Sequence, residues 1–140
     1  MTLYSTLYER ALSKIEDPTL LQLPEQDLEN MLYGYLMSAV AKHRKCEHDL
    51  SDRNEELKQF NSSLSDLEQE ILAILMVREW ISVQLHSVTL TLQVFGGKEE
   101  KYYSQASHIA ELRELDERLK LEAQHLSRDY TYMGNAYFND

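Results

Sequence analysis

ILAILMVREWISVQL, residues 71–85, is the stretch of sequence that decides the fold. Its first seven residues, Ile71 to Val77, are all apolar, so a helix built from them is apolar on every side. Such a helix is typical of the centre of a bundle, where other helices cover each of its faces. Trp80 follows on the same helix, and we expect it in the core with an acceptor for its indole N–H.

The same stretch carries two charges, Arg78 and Glu79, beside the apolar run. Successive helix residues point about 100° apart, so these two side chains cannot easily pair with each other. One interpretation pairs Arg78 with a carboxylate from another helix, because an unpaired buried charge costs several kcal/mol. In the other interpretation, the Arg78 side chain contacts a partner subunit, so Arg78 is a candidate protein-interface residue.

Two further helices are predicted before this stretch. Residues 2–16 place apolar side chains on one helical face, and the proline at position 18 ends that helix. The second helix begins at Pro24, a residue suited to the first turn. Residues 46–64 are polar and without a sustained period, so they predict a long connection with one short strand or turn near Leu57 to Phe60.

A capping box starts the central helix, because Ser65 is followed three residues later by Glu68. The apolar pattern predicts that this helix ends at about Leu85. Residues 87–95 then predict either a weaker helix or an extended piece, and Gly96-Gly97 a turn. The last helix is predicted over roughly 105–129.

The chain is therefore predicted to be all-α, a compact bundle of about four helices with a long 46–64 connection. Residues 1–130 form the helical bundle domain in this prediction. From residue 131 the pattern changes to an aromatic stretch without helical period. Residues 131–140 are accordingly predicted to be an extended C-terminal interaction arm.

The charge balance excludes several kinds of partner. The chain has 14 Lys and Arg against 24 Asp and Glu, a formal net charge of −10. This balance argues against binding to a phosphate-bearing partner and against binding to an anionic membrane surface.

Cys46 is the only cysteine, so no intramolecular disulfide is possible and a reducing cytoplasm suits the chain. We expect an intracellular soluble protein, since we find neither a signal peptide nor a membrane span.

The sequence shows neither a complete set of metal ligands nor a catalytic motif. His43, Cys46 and His48 spell H-x-x-C-x-H, but structural zinc usually takes four Cys or His ligands and no second cluster completes this one. The sequence contains no nucleophile elbow, phosphate loop, dinucleotide-binding glycines or H-E-x-x-H. We therefore expect no metal, no cofactor and no enzymatic activity.

Three motifs suggest a family. They are E-I-L-A-x-x-M-x-x-x-W at Glu70 to Trp80, G-K-E-E-K-Y-Y-S-Q-A at Gly97 to Ala106, and a long charged helix ending in R-D-Y-T-Y. With these motifs the chain resembles the head–tail connector, or neck adaptor, proteins of tailed bacteriophages. The resemblance covers nearly the whole chain, and its motifs are structural rather than catalytic.

The resemblance implies a structural virion protein of the neck region, assembled in the bacterial host cytoplasm. Such adaptors form a closed homo-oligomeric ring, commonly of twelve copies, beneath the portal protein. The ring extends the DNA channel, joins the capsid to a downstream neck or tail protein, and lets double-stranded DNA pass without sequence-specific binding. An acidic chain agrees with a channel that must not retain DNA.

The resemblance also implies a role for the C-terminal segment, which in such adaptors commonly reaches the portal or a neighbour. Here that role falls on residues 130–140. Tyr130, Tyr132, Tyr137 and Phe138 become candidate protein-interface anchors, since aromatic residues are enriched at interface cores.

Two other functions compete with the adaptor function. One is a small helical regulatory binding module, which would stay monomeric or bind a repressor. The other is a different neck or tail-completion protein, for which a β-rich fold would be expected. Self-association and portal binding distinguish an adaptor from the regulatory module.

Overall fold

Helix α3 (Asp66–Phe95) is the central element of the fold. It packs against the three other helices, as its apolar run predicts. Its buried apolar side chains in the described part of the chain are Ile71, Leu72, Ala73, Ile74, Met76, Val77, Trp80 and Ile81. The fold is therefore organised around the stretch that is apolar on every side.

A computed structural model describes residues 1–15, 20, 22–43, 46–95 and 99–134, with side chains described up to 87 and again over 106–131. In these ranges the other helices are α1 (Tyr4–Leu12), α2 (Glu25–Lys42) and α4 (Glu99–Gly134). Three short strands, β1 (Thr2–Leu3), β2 (Arg53–Asn54) and β3 (Gln59–Phe60), accompany them. The prediction of a mostly helical bundle with four helices is confirmed. None of the described helices is long and apolar enough to cross a membrane.

Helix α1 is shorter than the predicted 2–16, because Thr2 and Leu3 form a strand instead. Thr2 pairs with Phe60 in an antiparallel register. The Thr2 hydroxyl donates to the Ser62 carbonyl over 3.1 Å and accepts the Leu64 N–H over 2.9 Å. These long-range bonds hold the first residues extended, and a helical period in the sequence cannot reveal them.

The 46–64 connection contributes two strands, β2 and β3, which form a small antiparallel sheet with β1 in the order β1-β3-β2. The turn between β2 and β3 is closed by the Asn54 side chain, whose Oδ1 accepts the N–H groups of Glu56 and Leu57. Lys58 ends that turn with a φ of 52°. Phe60 is fully buried, with its ring centroid 5.0 Å from that of Tyr4. The strand predicted near Leu57 to Phe60 is present, and it anchors α1 to the bundle.

Helix α2 begins directly after Pro24, as predicted, and the Pro24 carbonyl accepts the first helical bond from Leu28 N–H over 3.0 Å. A proline is tolerated there because its missing N–H would have no partner in the first turn. Leu32, Leu36 and Ala39 are its buried residues.

The capping box at the start of α3 is confirmed. Glu68 N–H donates to Ser65 Oγ over 3.2 Å, and Ser65 N–H donates back to Glu68 Oε1 over 2.8 Å. Two N–H groups that the helix itself cannot satisfy are thereby paired. The capping box also turns the Glu68 side chain back over the first turn of the helix.

The last two helices are longer than predicted. Helix α3 reaches Phe95, so residues 87–95 are helical, and α4 begins at Glu99 instead of 105. Helix α4 also continues through Gly134, so residues 131–134 are helical where an extended arm was expected. Its 36 residues span about 54 Å at the helical rise. The turn predicted at Gly96-Gly97 lies outside the described residues.

Candidate functional site

Arg78 is paired inside the chain. Its Nε donates to Asp116 Oδ1 on α4 over 2.9 Å, and both side chains are about one-third exposed, at 30% and 31%. The interpretation that pairs Arg78 with a carboxylate of another helix is confirmed. A contact from Arg78 to a second subunit stays a prediction.

Glu79 points to a different helix, as the angular separation predicts. It pairs with Lys42 at the end of α2. The two neighbouring charges of α3 therefore connect it to two helices, α4 through Arg78 and α2 through Glu79. Ion pairs with this much solvent access each contribute about 1 kcal/mol or less, so they orient helices more than they stabilise them.

Trp80 is in the core, but the expected acceptor for its indole N–H is not found among the described residues. The side chain is 7% exposed. The expectation of a bonded indole is wrong within this part of the chain, because the neighbouring side chains of the core are apolar. Packing therefore decides the position of Trp80.

A cavity of about 560 Å³ lies between α2, α3 and α4. Its floor is apolar, with Ile71, Leu75 and Ala123. The cationic side chains that line it are Lys42, Arg78, Lys120 and Arg128. Four of the 14 Lys and Arg of an acidic chain thus meet at one place. Arg78 and Lys42 have carboxylate partners, whereas Lys120 and Arg128 are exposed and have none among the described side chains.

A second cluster surrounds the buried carboxylate of Glu68, which is 1% exposed. Besides the capping-box bond, Glu68 accepts from the Cys46 thiol over 3.0 Å and lies 2.7 Å from His48 Nδ1. Burial alone would raise the pKa of Glu68, but the hydrogen bonds from Cys46, Ser65 and His48 hold that pKa at about 2. The carboxylate is therefore ionised near neutral pH and acts as an acceptor.

Tyr130 completes this cluster from the far end of α4. Its hydroxyl donates to Glu68 Oε2 over 3.1 Å and accepts the Glu47 N–H over 2.6 Å. The side chain is 8% exposed, so Tyr130 is buried in this chain. An interface role for Tyr130 stays a prediction. Its hydroxyl proton and one of its lone pairs are used by internal partners, Glu68 and Glu47. Burial raises the pKa of Tyr130, which keeps the hydroxyl protonated.

Two further side chains belong to the same region. Burial and the hydrogen bond to Glu68 raise the pKa of the Cys46 thiol to about 12, so the thiol is the protonated donor in that bond. His43 is 5% exposed, its ring lies 5.8 Å from that of Tyr130, and its Nε2 has no hydrogen-bond partner in the described part of the chain. Burial lowers the pKa of His43, and the negative charge of Glu68 opposes that effect.

The cluster brings together residues that the sequence presents separately. One ligand-type atom each from Cys46, His48 and Glu68 lies within 4.8 Å of the others. Cys46 and His48 are visible as a pair in the sequence, but they do not predict a metal site there, because no further Cys or His completes a set of four ligands. The capping box was the available signal for Glu68, since it turns that carboxylate toward the preceding residues.

The remaining candidate anchors fall at or beyond the end of α4. Tyr132 lies in the last turn of that helix, while Tyr137 and Phe138 lie outside the described residues. Comparison with known proteins adds no relative: no family model, curated protein or solved structure matches the chain.

Proposed function

We propose that this protein is a head–tail connector of a tailed bacteriophage, a ring-forming adaptor of the virion neck. Its ring sits beneath the portal protein, extends the DNA channel and joins the capsid to a downstream neck or tail protein. The proposal is supported by the resemblance over nearly the whole chain and by a helical bundle with two long helices, α3 and α4. Assembly takes place in the cytoplasm of the bacterial host.

The observation that carries self-association is the cationic cavity between α2, α3 and α4. A ring places identical chains side by side, and chains with a net charge of −10 repel one another. Contact between them therefore needs a local patch of opposite charge. Lys120 and Arg128 provide such a patch, since neither has an anionic partner among the described side chains.

The occupant of this cavity is an acidic surface of a second copy. Because the cavity is a cationic patch and the rest of the chain is acidic, the contact joins two different surfaces of the subunit. A contact of that kind is heterologous, and heterologous contacts close into rings when the rotation between subunits permits. The acidic side chains outside this contact face solvent, and those that line the bore of the ring repel the phosphates of passing DNA.

A charge-reversal experiment tests the cavity. The double variant Lys120→Glu with Arg128→Glu reverses two cavity cations, and Arg113→Glu with Arg118→Glu is its control. The control residues are exposed on the same helix, do not line the cavity, and change the net charge by the same amount. Native mass spectrometry and electron microscopy of each protein, alone and mixed with its portal protein, measure assembly.

We expect the wild type and the control to form rings on the portal, and the cavity variant to stay monomeric with an unchanged circular dichroism spectrum. Equal loss in both variants would place the contact outside the cavity. A wild type that remains monomeric with the portal present would overturn the adaptor function and favour the regulatory binding module.

A further inference from the structure

We propose that Cys46, His48 and Glu68 form a binding site for a divalent transition-metal ion, with zinc as the expected occupant. A thiol, an imidazole and a carboxylate are the side chains that bind zinc in proteins. Their donor atoms lie within 4.8 Å of one another in the folded chain. This inference is independent of the adaptor function.

The geometry needs only small movements to accept an ion. Ligand atoms bound tetrahedrally to zinc are about 3.3–3.7 Å apart, as the usual metal–ligand bond lengths require. Here Cys46 Sγ is 3.0 Å from Glu68 Oε2, and His48 Nδ1 is 2.7 Å from the same oxygen. An ion entering between them pushes these atoms apart by less than about 1 Å, which side-chain rotations can supply.

A second observation points to a ligand at this place. The His43 side chain is only 5% exposed, and its Nε2 has no hydrogen-bond partner among the described residues. It lines a cavity of about 340 Å³ together with Cys46 and His48. An unpaired buried nitrogen destabilises the fold, so its presence beside three ligand-type groups is unexpected without a function. A water molecule supplies the fourth position of the site, and His43 lies at the edge of the same cavity.

The charges balance when the ion binds. The Cys46 thiol loses its proton to solvent, and the sulfur then forms a bond to the metal. Glu68 is already ionised, so thiolate and carboxylate together neutralise a divalent cation. Neutral His48 binds through Nδ1 once its proton is carried on Nε2. No oxidant or reductant is needed, and metal binding releases the thiol proton.

Surrounding residues are placed to support the ligands. Tyr130 donates to Glu68 Oε2 and Ser65 N–H donates to Glu68 Oε1, so the carboxylate is oriented from two sides. Such outer hydrogen bonds commonly change metal affinity by about 10–100-fold when they are removed. The thiolate and imidazole favour zinc or cobalt over magnesium and calcium, which prefer oxygen ligands.

Cobalt binding to the full-length, metal-free protein tests the site. We expect a thiolate-to-cobalt charge-transfer band in the near ultraviolet, together with the intense visible bands of tetrahedral cobalt. Cys46→Ser should abolish the charge-transfer band, and His48→Ala should weaken cobalt affinity about tenfold or more. His125→Ala is the matched control, since the His125 side chain is 70% exposed and away from the cluster.

Protection of the wild-type thiol provides a measurement that needs no variant. Zinc should slow alkylation of Cys46, and magnesium at the same concentration should not. Absence of the charge-transfer band in the wild type, the same band in Cys46→Ser, or unchanged affinity in His48→Ala would each overturn the proposed site. Equal alkylation with and without zinc would do so as well.

Discussion

Tyr130 and Glu68 are 62 residues apart in the sequence, yet the hydroxyl of the first donates to the buried carboxylate of the second over 3.1 Å. This bond joins the end of α4 to the first turn of α3. Because the Tyr130 hydroxyl also accepts from Glu47, the same atom fixes the beginning of the 46–64 connection. Three distant parts of the chain thus meet at one phenolic oxygen.

Tyr130→Phe should therefore lower the free energy of unfolding by about 1–3 kcal/mol, since it leaves the Glu47 N–H and one position on Glu68 without their partner. Urea denaturation of the metal-free protein measures the change. Tyr33→Phe is the control, because its hydroxyl donates to Glu55 over 2.8 Å at an exposed position. The control should cost about 1 kcal/mol or less; an equal cost for both variants would contradict the role assigned to Tyr130.

Stability should fall in acid partly through Glu70, which connects α3 to α1. Burial alone would raise the pKa of Glu70, but its ion pairs with Lys14 and Arg10 lower it overall. A depressed folded-state pKa stabilises the fold above the unfolded value of about 4.3, and this contribution is lost as the pH falls through the folded pKa. Urea midpoints measured from pH 7 to pH 3 should fall less steeply for Glu70→Gln than for the wild type. Parallel curves would show that Glu70 does not contribute.

Trp80→Ala should reduce the free energy of unfolding by about 3–5 kcal/mol, the usual cost of emptying a packed aromatic site. The residue is 7% exposed within the core. Leu57→Ala removes a side chain that is 62% exposed on the hairpin turn, so it should be close to neutral. Thermal unfolding followed by circular dichroism compares the two, and a Trp80→Ala cost near that of Leu57→Ala would mean that the indole is not part of the core.

The Arg78–Asp116 pair should contribute little to stability. Both side chains are about one-third exposed, so a double-mutant cycle with Arg78→Met and Asp116→Asn should give a coupling energy of about 1 kcal/mol or less. Assembly on the portal is measured in the same variants. Loss of assembly in Arg78→Met, with stability retained, would reveal a contact of Arg78 with a second subunit; intact assembly would limit Arg78 to its internal pair.

Deleting residues 135–140 should leave the bundle folded and weaken docking on the portal or on the next neck protein. These residues include Tyr137 and Phe138, and aromatic side chains commonly anchor interfaces. A ring of such segments multiplies a weak single contact by avidity. Circular dichroism and pull-down with the portal protein measure folding and docking. Normal docking of a folded truncation would remove this segment from the proposed interface.

Local patterns predicted the helices well, because each helix is encoded within its own stretch. The apolar run of α3 and the Ser65–Glu68 capping box are read within a few residues. The strand at Thr2 was not predictable in this way, since its bonds reach Ser62 and Leu64. The burial of Tyr130 depends likewise on a partner 62 residues away.

The difference between local and long-range contacts also explains which residues of the candidate metal site are visible in the sequence. Cys46 and His48 are neighbours in sequence, so their pattern was visible, whereas Glu68 joins them only when α3 folds back against the connection. Its identity as a ligand depends on tertiary structure. The capping box gives the direction of its side chain but not the residues that it meets.

The pairing of β1 with β3 also sets the order of events during synthesis of the protein. Leu3 is made 56 residues before its partner Gln59. At the usual translation rates of about 5–20 residues per second, the first strand waits roughly 3–11 s before that partner exists. The N-terminal strand can therefore complete its sheet only after α2 has been made, but before α3 and α4 exist.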